Sequence, residues 1–88
     1  MDTRTRIAWN LRRIRSSKKI TQENLAVDAN VDRTAISGIE RGLYNPTVDL
    51  LDRLAAALAV DVSEFFAEPP PKARPPEPIK AGRKPNTR

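Results

Sequence analysis

The sequence of 88 residues carries a formal net charge of +5 and contains neither cysteine nor histidine. These two absences exclude disulfides, thiolate chemistry and the usual zinc ligands, so we expect no metal and no cofactor. No apolar run approaches the roughly 18 residues that a membrane-spanning helix needs, and none near the first residues resembles a signal peptide, so we expect a cytoplasmic protein with no membrane partner.

Basic side chains are concentrated in two parts of the chain. Residues 1–20 contain seven Lys or Arg and one Asp, and residues 67–88 contain six basic and two acidic side chains. Residues 1–66 taken together are nearly neutral, with 10 basic and 9 acidic side chains. Because phosphate neutralisation dominates affinity for nucleic acids, the two basic parts favour a polyanionic partner.

Apolar residues with helical spacing extend through the first 66 residues, and no strand pattern appears. Ile7, Leu11 and Ile14 recur at positions i, i+4 and i+7, which predicts one buried stripe on the first helix. Thr21 and Thr47 are suited to cap the helices that follow them, because a side-chain oxygen there accepts an N–H of the first helical turn. The predicted helices cover residues 3–17, 22–29, 33–41, 48–59 and 60–66.

Two of these helices, 22–29 and 33–41, are joined by a single tight turn, which is the layout of a helix-turn-helix motif. Asn30 stands where the chain reverses and tolerates the left-handed conformation better than any residue except glycine. Asp32 is a second N-cap residue, and Gly42 fits the position just after a helix end. The sequence therefore predicts the motif over residues 22–41.

The composition changes abruptly after Phe66. Seven of the eight prolines lie in residues 67–88, where Ile79 is the one large aliphatic residue. Such a segment cannot bury enough apolar surface to offset the entropy of ordering it. We therefore predict a domain over residues 3–66 and a disordered, Pro-rich basic tail over residues 67–88.

Four groups of residues, in order along the chain, carry a resemblance to a known family. They are Leu11-Arg12-Arg13-Ile14-Arg15, Thr21-Gln22-Glu23-Asn24-Leu25-Ala26, Ile36-Ser37-Gly38-Ile39-Glu40-Arg41-Gly42, and Asn45-Pro46-Thr47 with Leu51, Leu54, Ala55 and Leu58. The pattern resembles the Cro/CI-type (Xre family) helix-turn-helix domain, and within it looks most like controller proteins of restriction–modification systems. The resemblance implies an all-α, compact five-helix domain similar to the DNA-binding domain of lambda repressor.

The second helix of a helix-turn-helix motif enters the major groove, where its first residues meet base edges. The predicted base-reading residues are Arg33, Thr34, Ala35, Ser37 and Gly38. Arg33 is the strongest candidate, because a guanidinium can bond guanine O6 and N7 together; the alternative for it is a phosphate contact. Gly38 has no side chain for reading a base, so its backbone either approaches the DNA closely or packs closely within the protein.

A second set of residues is predicted to contact the DNA backbone: Gln22, Arg41, Tyr44 and Asn45. Gln22 matches the family's phosphate-contacting glutamine, and it lies at a helix N-terminus, where exposed N–H groups and the helix dipole favour anions. Arg41 and Asn45 follow the recognition helix closely. For Tyr44, packing on the loop is an equally good interpretation.

The resemblance also implies an ion pair and a dimer. Arg15 and Glu40 are expected to pair across the domain and so to orient the recognition helix. Relatives bind paired half-sites as dimers, and the family dimerises through the fourth and fifth helices. The predicted dimer interface is drawn from Leu50, Val62, Phe65 and Phe66; the alternatives are that both phenylalanines close the core of the monomer, or that one closes the core and the other joins the interface.

The sequence thus predicts a homodimeric, sequence-specific DNA-binding transcriptional regulator whose partner is double-stranded DNA. An enzyme is the weakest class, because the chain lacks His and Cys and its carboxylates fall at helix caps and exposed faces. No site for a small-molecule ligand is evident. The alternative is an antitoxin or adaptor that uses the same fold to bind another protein.

Overall fold

The computed structural model describes residues 2–69, which form an all-helical fold with no strand in that range. The predicted tail lies, from residue 70 onwards, outside the described residues. Four α-helices are followed by one short 3₁₀ helix. Their bounds are α1 Thr3–Ser17, α2 Gln22–Ala29, α3 Arg33–Glu40, α4 Val48–Leu58 and the 3₁₀ helix Val62–Phe66.

The short fifth helix predicted over residues 60–66 is a 3₁₀ helix over Val62–Phe66 and not a further α-helix. Ala59 takes a left-handed conformation, with φ of 58°, and ends α4. Asp61 then begins the next turn, where its backbone oxygen accepts the N–H of Glu64 at 3.0 Å in the i to i+3 pattern. Ala67 is extended again. The segment between Ala59 and Ala67 is therefore too short for a series of α-helical i to i+4 hydrogen bonds, and a short 3₁₀ helix forms there instead.

The predicted helix caps are present at Thr21 and Thr47, whose hydroxyl oxygens accept the N–H groups of Asn24 and Leu50, each at 3.0 Å. Asp32 occupies the predicted N-cap position of α3, but its side chain makes no capping hydrogen bond. Its backbone oxygen instead accepts the N–H of Ala35 at 3.1 Å. At the start of α3, Asp32 therefore accepts hydrogen bonds through its backbone oxygen and not through its side chain.

The turn of the helix-turn-helix has the predicted geometry. Asn30 is left-handed, with φ of 58° and ψ of 52°, and Gly42 has a positive φ of 73° after α3. Two further residues with a side chain, Lys19 and Ala59, also have positive φ values. The sequence did not indicate these two, because neither lysine nor alanine favours that conformation.

All four α-helices and the 3₁₀ helix contribute side chains to one apolar core. α1 packs against α3 and the 3₁₀ helix, and α2 packs against α3 and α4. The largest fully buried apolar side chains are Leu11, Leu25, Ile36, Ile39, Leu54, Leu58 and Phe65. The core therefore lies between the two helices of the motif and the helices on either side of it.

The two phenylalanines are divided between the core and the surface. Phe65 is 0% exposed, whereas Phe66 is 39% exposed. A side chain without accessible surface in the monomer has nothing to present to a partner, so the prediction of Phe65 as an interface residue is corrected: it closes the core. Phe66 keeps the surface that an interface requires.

The buried side chain of Asn10 joins α1 to the segment that ends the fold. Its Nδ2 donates to the backbone oxygens of Phe65 at 2.9 Å and Ala67 at 2.8 Å, and also lies 3.0 Å from the oxygen of Arg6. Its Oδ1 accepts the Nε–H of Arg13 at 3.2 Å. The amide thus holds the 3₁₀ helix against α1, a role that no sequence pattern indicated.

Candidate nucleic-acid interface

The predicted recognition helix, α3, has an apolar side that is buried and a polar side that faces solvent. Ile36 and Ile39 are at most 1% exposed and attach the helix to the core. Arg33 and Thr34, at the first turn, are exposed, and Ser37 is half-buried one turn later. The first turn of α3 therefore leaves Arg33 and Thr34 open to solvent, which is the exposure that base reading by these two residues would require.

Two of the predicted base-reading residues are less accessible than the others. Ala35 is half-buried, and Gly38 is buried beneath Tyr44. A Cβ added to Gly38 would lie 3.0 Å from the Cβ of Tyr44, and the oxygen of Gly38 accepts the N–H groups of Leu43 at 2.9 Å and Tyr44 at 3.2 Å. The prediction that Gly38 reads a base is corrected, because this glycine makes room for the loop after α3.

The predicted ion pair between Arg15 and Glu40 is present and buried. Arg15 Nε lies 2.6 Å from Glu40 Oε2, and Nη2 lies 2.9 Å from Oε1, which is a bidentate arrangement. The two side chains are 6% and 4% exposed. Arg15 Nη1 also donates to the oxygen of Ile20 at 2.8 Å. The pair therefore connects the end of α1 and the following turn to the end of α3.

Gln22 lies beside this pair, at the first residue of α2. Its Nε2 donates to Glu40 Oε1 at 3.0 Å, and the residue is half-buried. The side chain that is predicted to contact a DNA phosphate therefore already donates one hydrogen bond within the protein. The sequence analysis assigned Gln22 and Glu40 separate roles and did not predict their contact.

The other predicted backbone-contacting residues belong to the segment directly after α3. Arg41, Tyr44 and Asn45 are all exposed there. The Cβ of Tyr44 packs on Gly38, in agreement with the interpretation of Tyr44 as a loop-packing residue. The residue remains 42% exposed, which leaves surface for the alternative, a contact with DNA. Arg41 adds a cation at the C-terminal end of the recognition helix.

The remaining predicted interface residues lie on α4 and the 3₁₀ helix. Leu50 and Val62 are half-buried and pack against the edge of the core, as do Ala57 and Val60. Leu50 and Ala57 are seven residues apart and so lie on one side of α4. The exposed parts of Leu50, Ala57 and Phe66 therefore leave apolar surface on α4 and the 3₁₀ helix, which is a part of the fold that does not include α3.

Within residues 2–69, no group of three or more metal-ligating side chains is arranged to hold a metal ion. None of the helices in that described part is both long enough and apolar enough to cross a membrane.

A family model described as helix-turn-helix (HTH_3) matches residues 11–65, more than half of the chain. The immunity repressor protein of Bacillus phage phi105 is 37% identical over 62 residues, which are 70% of this chain and 43% of the repressor. The crystal structure of NHTF, a hypothetical transcription factor from Neisseria, superposes with a TM-score of 0.74 at 35% identity and covers 77% of this chain and 78% of that one.

A third relative is the restriction–modification controller protein C.Esp1396I, whose tetramer has been solved in complex with its natural 35 base-pair operator. It superposes with a TM-score of 0.69 at 38% identity and covers 75% of this chain and 87% of that one. The chain spans 43% of the phage repressor and 64% of the Neisseria meningitidis factor, so both of these relatives are longer than the part they share with it. The helix-turn-helix of α2 and α3, the family match and these relatives together show that the chain belongs to the Xre-type helix-turn-helix family of DNA-binding transcriptional regulators.

Proposed function

We propose that this protein binds double-stranded DNA sequence-specifically, as a homodimer on paired half-sites, with α3 in the major groove. The observation that carries the proposal is the two-sided character of α3. Ile36 and Ile39 bury one side completely, while Arg33 and Thr34 leave the first turn of the other side open to solvent. A helix attached in this way can enter a groove without rearrangement of the core.

Sequence-specific readout rests first on Arg33. Its guanidinium can donate two hydrogen bonds to guanine, and such a bidentate contact contributes about 1–3 kcal/mol of discrimination against the wrong base. Thr34 and Ser37 supply hydroxyl groups that can donate or accept. Ala35, which is half-buried, offers only an apolar contact such as one with a thymine methyl group.

Contacts with the DNA backbone come from two sides of the recognition helix. Arg41, Tyr44 and Asn45 follow its last turn, and Gln22 lies at the N-terminus of α2. Only Arg41 among these four carries a positive charge, so only its loss should reduce the salt dependence of binding, by about one unit in the slope of log K against log salt. The loss of a neutral contact should lower affinity and leave that slope unchanged.

A homodimer is proposed because one module reads few base pairs and because apolar surface remains beside the core. Leu50, Val62 and Phe66 lie on α4 and the 3₁₀ helix and are partly exposed. This arrangement would leave α3 of each protomer free for one half-site. A change of Phe66 to Asp should weaken the dimer strongly, whereas Val27→Asp, at a 73% exposed site on α2, should not. Sedimentation at a series of protein concentrations distinguishes the two.

The experiment that tests DNA recognition is selection from a pool of random duplexes at about 150 mM salt, a concentration at which non-specific attraction is screened. We expect a motif with two half-sites about one helical turn apart. Arg33→Ala should blur one position in each half-site, whereas Arg4→Ala, which removes the same charge from an exposed position near the start of α1, should preserve the motif. Salt-sensitive binding without any motif would contradict the proposal and favour the antitoxin or adaptor alternative.

A further inference from the structure

A buried polar cluster lies where α1, α2 and α3 meet, formed by Arg15, Gln22 and Glu40. The carboxylate of Glu40 accepts three hydrogen bonds: two from Arg15, at 2.6 and 2.9 Å, and one from Gln22 Nε2, at 3.0 Å. Glu40 and Arg15 are both buried, whereas Gln22 is only half-buried. Gln22 is therefore the member of the cluster that solvent, or a ligand, can still reach.

The chemistry of the cluster determines how the Gln22 carboxamide is turned. A carboxylate paired with arginine only accepts hydrogen bonds, so the NH₂ end of the amide must point towards Glu40. One N–H is then used inside the protein. The second N–H and the amide oxygen remain for a partner beyond the N-terminus of α2, where the helix dipole also favours an anion.

We infer that Glu40 is a positioning residue for Gln22: it holds one N–H of the carboxamide so that the other is directed at a DNA phosphate. This inference rests on the proposed function, and it adds a second role to a residue that otherwise serves to orient α3. Because Arg15 in turn holds Glu40, the same ion pair both positions Gln22 for the phosphate and orients the recognition helix α3. A side chain held in its bound orientation loses less entropy on binding than a free one.

A double-mutant cycle on the selected duplex tests the inference with wild type, Gln22→Ala, Glu40→Leu and the double variant. We expect Gln22→Ala to lower affinity roughly tenfold, as for loss of a hydrogen bond to a charged group, with an unchanged salt slope because glutamine is neutral. Glu40→Leu removes both carboxylate oxygens, so Gln22 loses its acceptor, whereas a glutamine at position 40 could keep an oxygen towards Gln22. Glu40→Leu should lower affinity several-fold when Gln22 is present and less than about twofold when it is absent.

The cycle separates positioning from a merely structural role. If Glu40→Leu acted only by moving α3, it would lower affinity equally in both backgrounds, and that result would overturn the inference. Any effect of the changed charge on DNA affinity is common to both backgrounds and cancels in the comparison. Asn24→Ala is the matched control, because this exposed amide lies two residues on and so about 200° around the same helix; we expect it to change affinity less than twofold.

A measurement on the wild-type protein gives the same answer if Glu40→Leu fails to fold. The two Nε2 protons of Gln22 give separate NMR signals, and we expect the one bonded to Glu40 to keep its position when duplex is added while the other moves. Equal movement of both would mean that the amide leaves Glu40 to reach DNA, which overturns the inference. Specific binding by wild type that Gln22→Ala leaves intact would overturn the inference alone, whereas failure of the wild type to bind DNA would overturn the proposed function as well.

Discussion

Two buried polar side chains attach α1 to the rest of the fold, one near its C-terminus and one at its middle, and they do so by different chemistry. Near the C-terminus, Arg15 pairs with the carboxylate of Glu40 on α3. At the middle, the neutral amide of Asn10 donates to backbone oxygens of Phe65 and Ala67. The charged attachment holds the proposed recognition helix, and the neutral one holds the segment proposed to lie at the dimer interface.

The difference teaches how each attachment should respond to change. A buried charge that loses its partner is costly because it stays desolvated, although the intact pair adds little net stability. The loss of a neutral amide leaves only uncharged acceptors and the Nε–H of Arg13 without their partner, and water can reach the exposed Ala67. We therefore expect loss of the ion pair to destabilise the whole fold and loss of the amide to destabilise it locally.

The largest effect is expected when the ion pair is broken on one side. Glu40→Ala leaves the guanidinium of Arg15 buried without its charge partner, which should lower the free energy of unfolding by about 3–5 kcal/mol. Urea denaturation followed by circular dichroism measures this. The control is the double variant Arg15→Met with Glu40→Leu, which should recover most of the loss because apolar side chains of similar volume replace a buried pair at little cost. Equal destabilisation of the single and double variants would contradict the explanation.

Loss of the amide attachment should have the next largest effect. Asn10→Leu keeps the number and branching of the side-chain heavy atoms but removes the donors and the acceptor, which should cost about 1–3 kcal/mol. Hydrogen exchange should increase first at Ser63 to Phe66, before the helices open. The comparison is Glu64→Gln, which removes the exposed ion pair with Arg13, 3.6 Å long, without touching Asn10, and should cost less than about 1 kcal/mol. Uniform exchange across the whole fold in Asn10→Leu would remove the distinction between the two attachments.

A smaller effect of opposite sign is expected at the turn that leads into the amide-bound segment. Ala59 is left-handed, with φ of 58°, which costs a residue with a side chain roughly 1–2 kcal/mol. Ala59→Gly removes this strain but increases the entropy of the unfolded chain, so we expect a net gain of roughly 0.5–1 kcal/mol in thermal or urea unfolding. Ala56→Gly, at an exposed position inside α4, should instead lose about 0.5–1 kcal/mol. A loss at both positions would show that the turn is not strained.

The smallest effect concerns acid. The backbone N–H of Thr5 is the main cause that holds the pKa of Asp2 below its ordinary value of 3.8, and hydrogen bonds from Ser63 lower the pKa of Asp61 in the same way. A lowered pKa in the folded state means that these caps stabilise the fold above pH 3.8 and stop doing so as the pH falls through the lower value. We expect hydrogen exchange at the start of α1 and in the 3₁₀ helix to rise slightly below about pH 4. Asp2→Asn and Asp61→Asn should remove this pH dependence.

The local elements could be predicted because their determinants are close together in the sequence. The caps at Thr21 and Thr47, the left-handed Asn30 and the apolar stripe of Ile7, Leu11 and Ile14 each depend on residues within about two helical turns. The same reasoning located the short fifth helix but not its bounds or its 3₁₀ form, because these depend on where Ala59 and Ala67 leave the helical conformation. Alanine favours neither the left-handed conformation of Ala59 nor the extended one of Ala67.

The candidate site was predicted in its members but not in its internal contacts. Arg33 and Thr34 follow from their place at the start of the second helix of the motif, and the pairing of Arg15 with Glu40 follows from the family resemblance. The burial of Gly38 under Tyr44 and the hydrogen bond from Gln22 to Glu40 do not follow from either. Both depend on how closely two segments approach after the helices have packed.

The sequence by itself thus determined the four α-helices, the motif and the family, because helical spacing, caps and family motifs are local or ordered patterns along one chain. Only the tertiary structure decided that Phe65 closes the core while Phe66 stays partly exposed, that Asn10 serves the backbone of a distant segment, and that Gln22 is held by Glu40. A donor to a backbone carbonyl leaves no pattern in the sequence, since every residue has such an oxygen, and side-chain burial depends on the direction in which neighbouring elements pack.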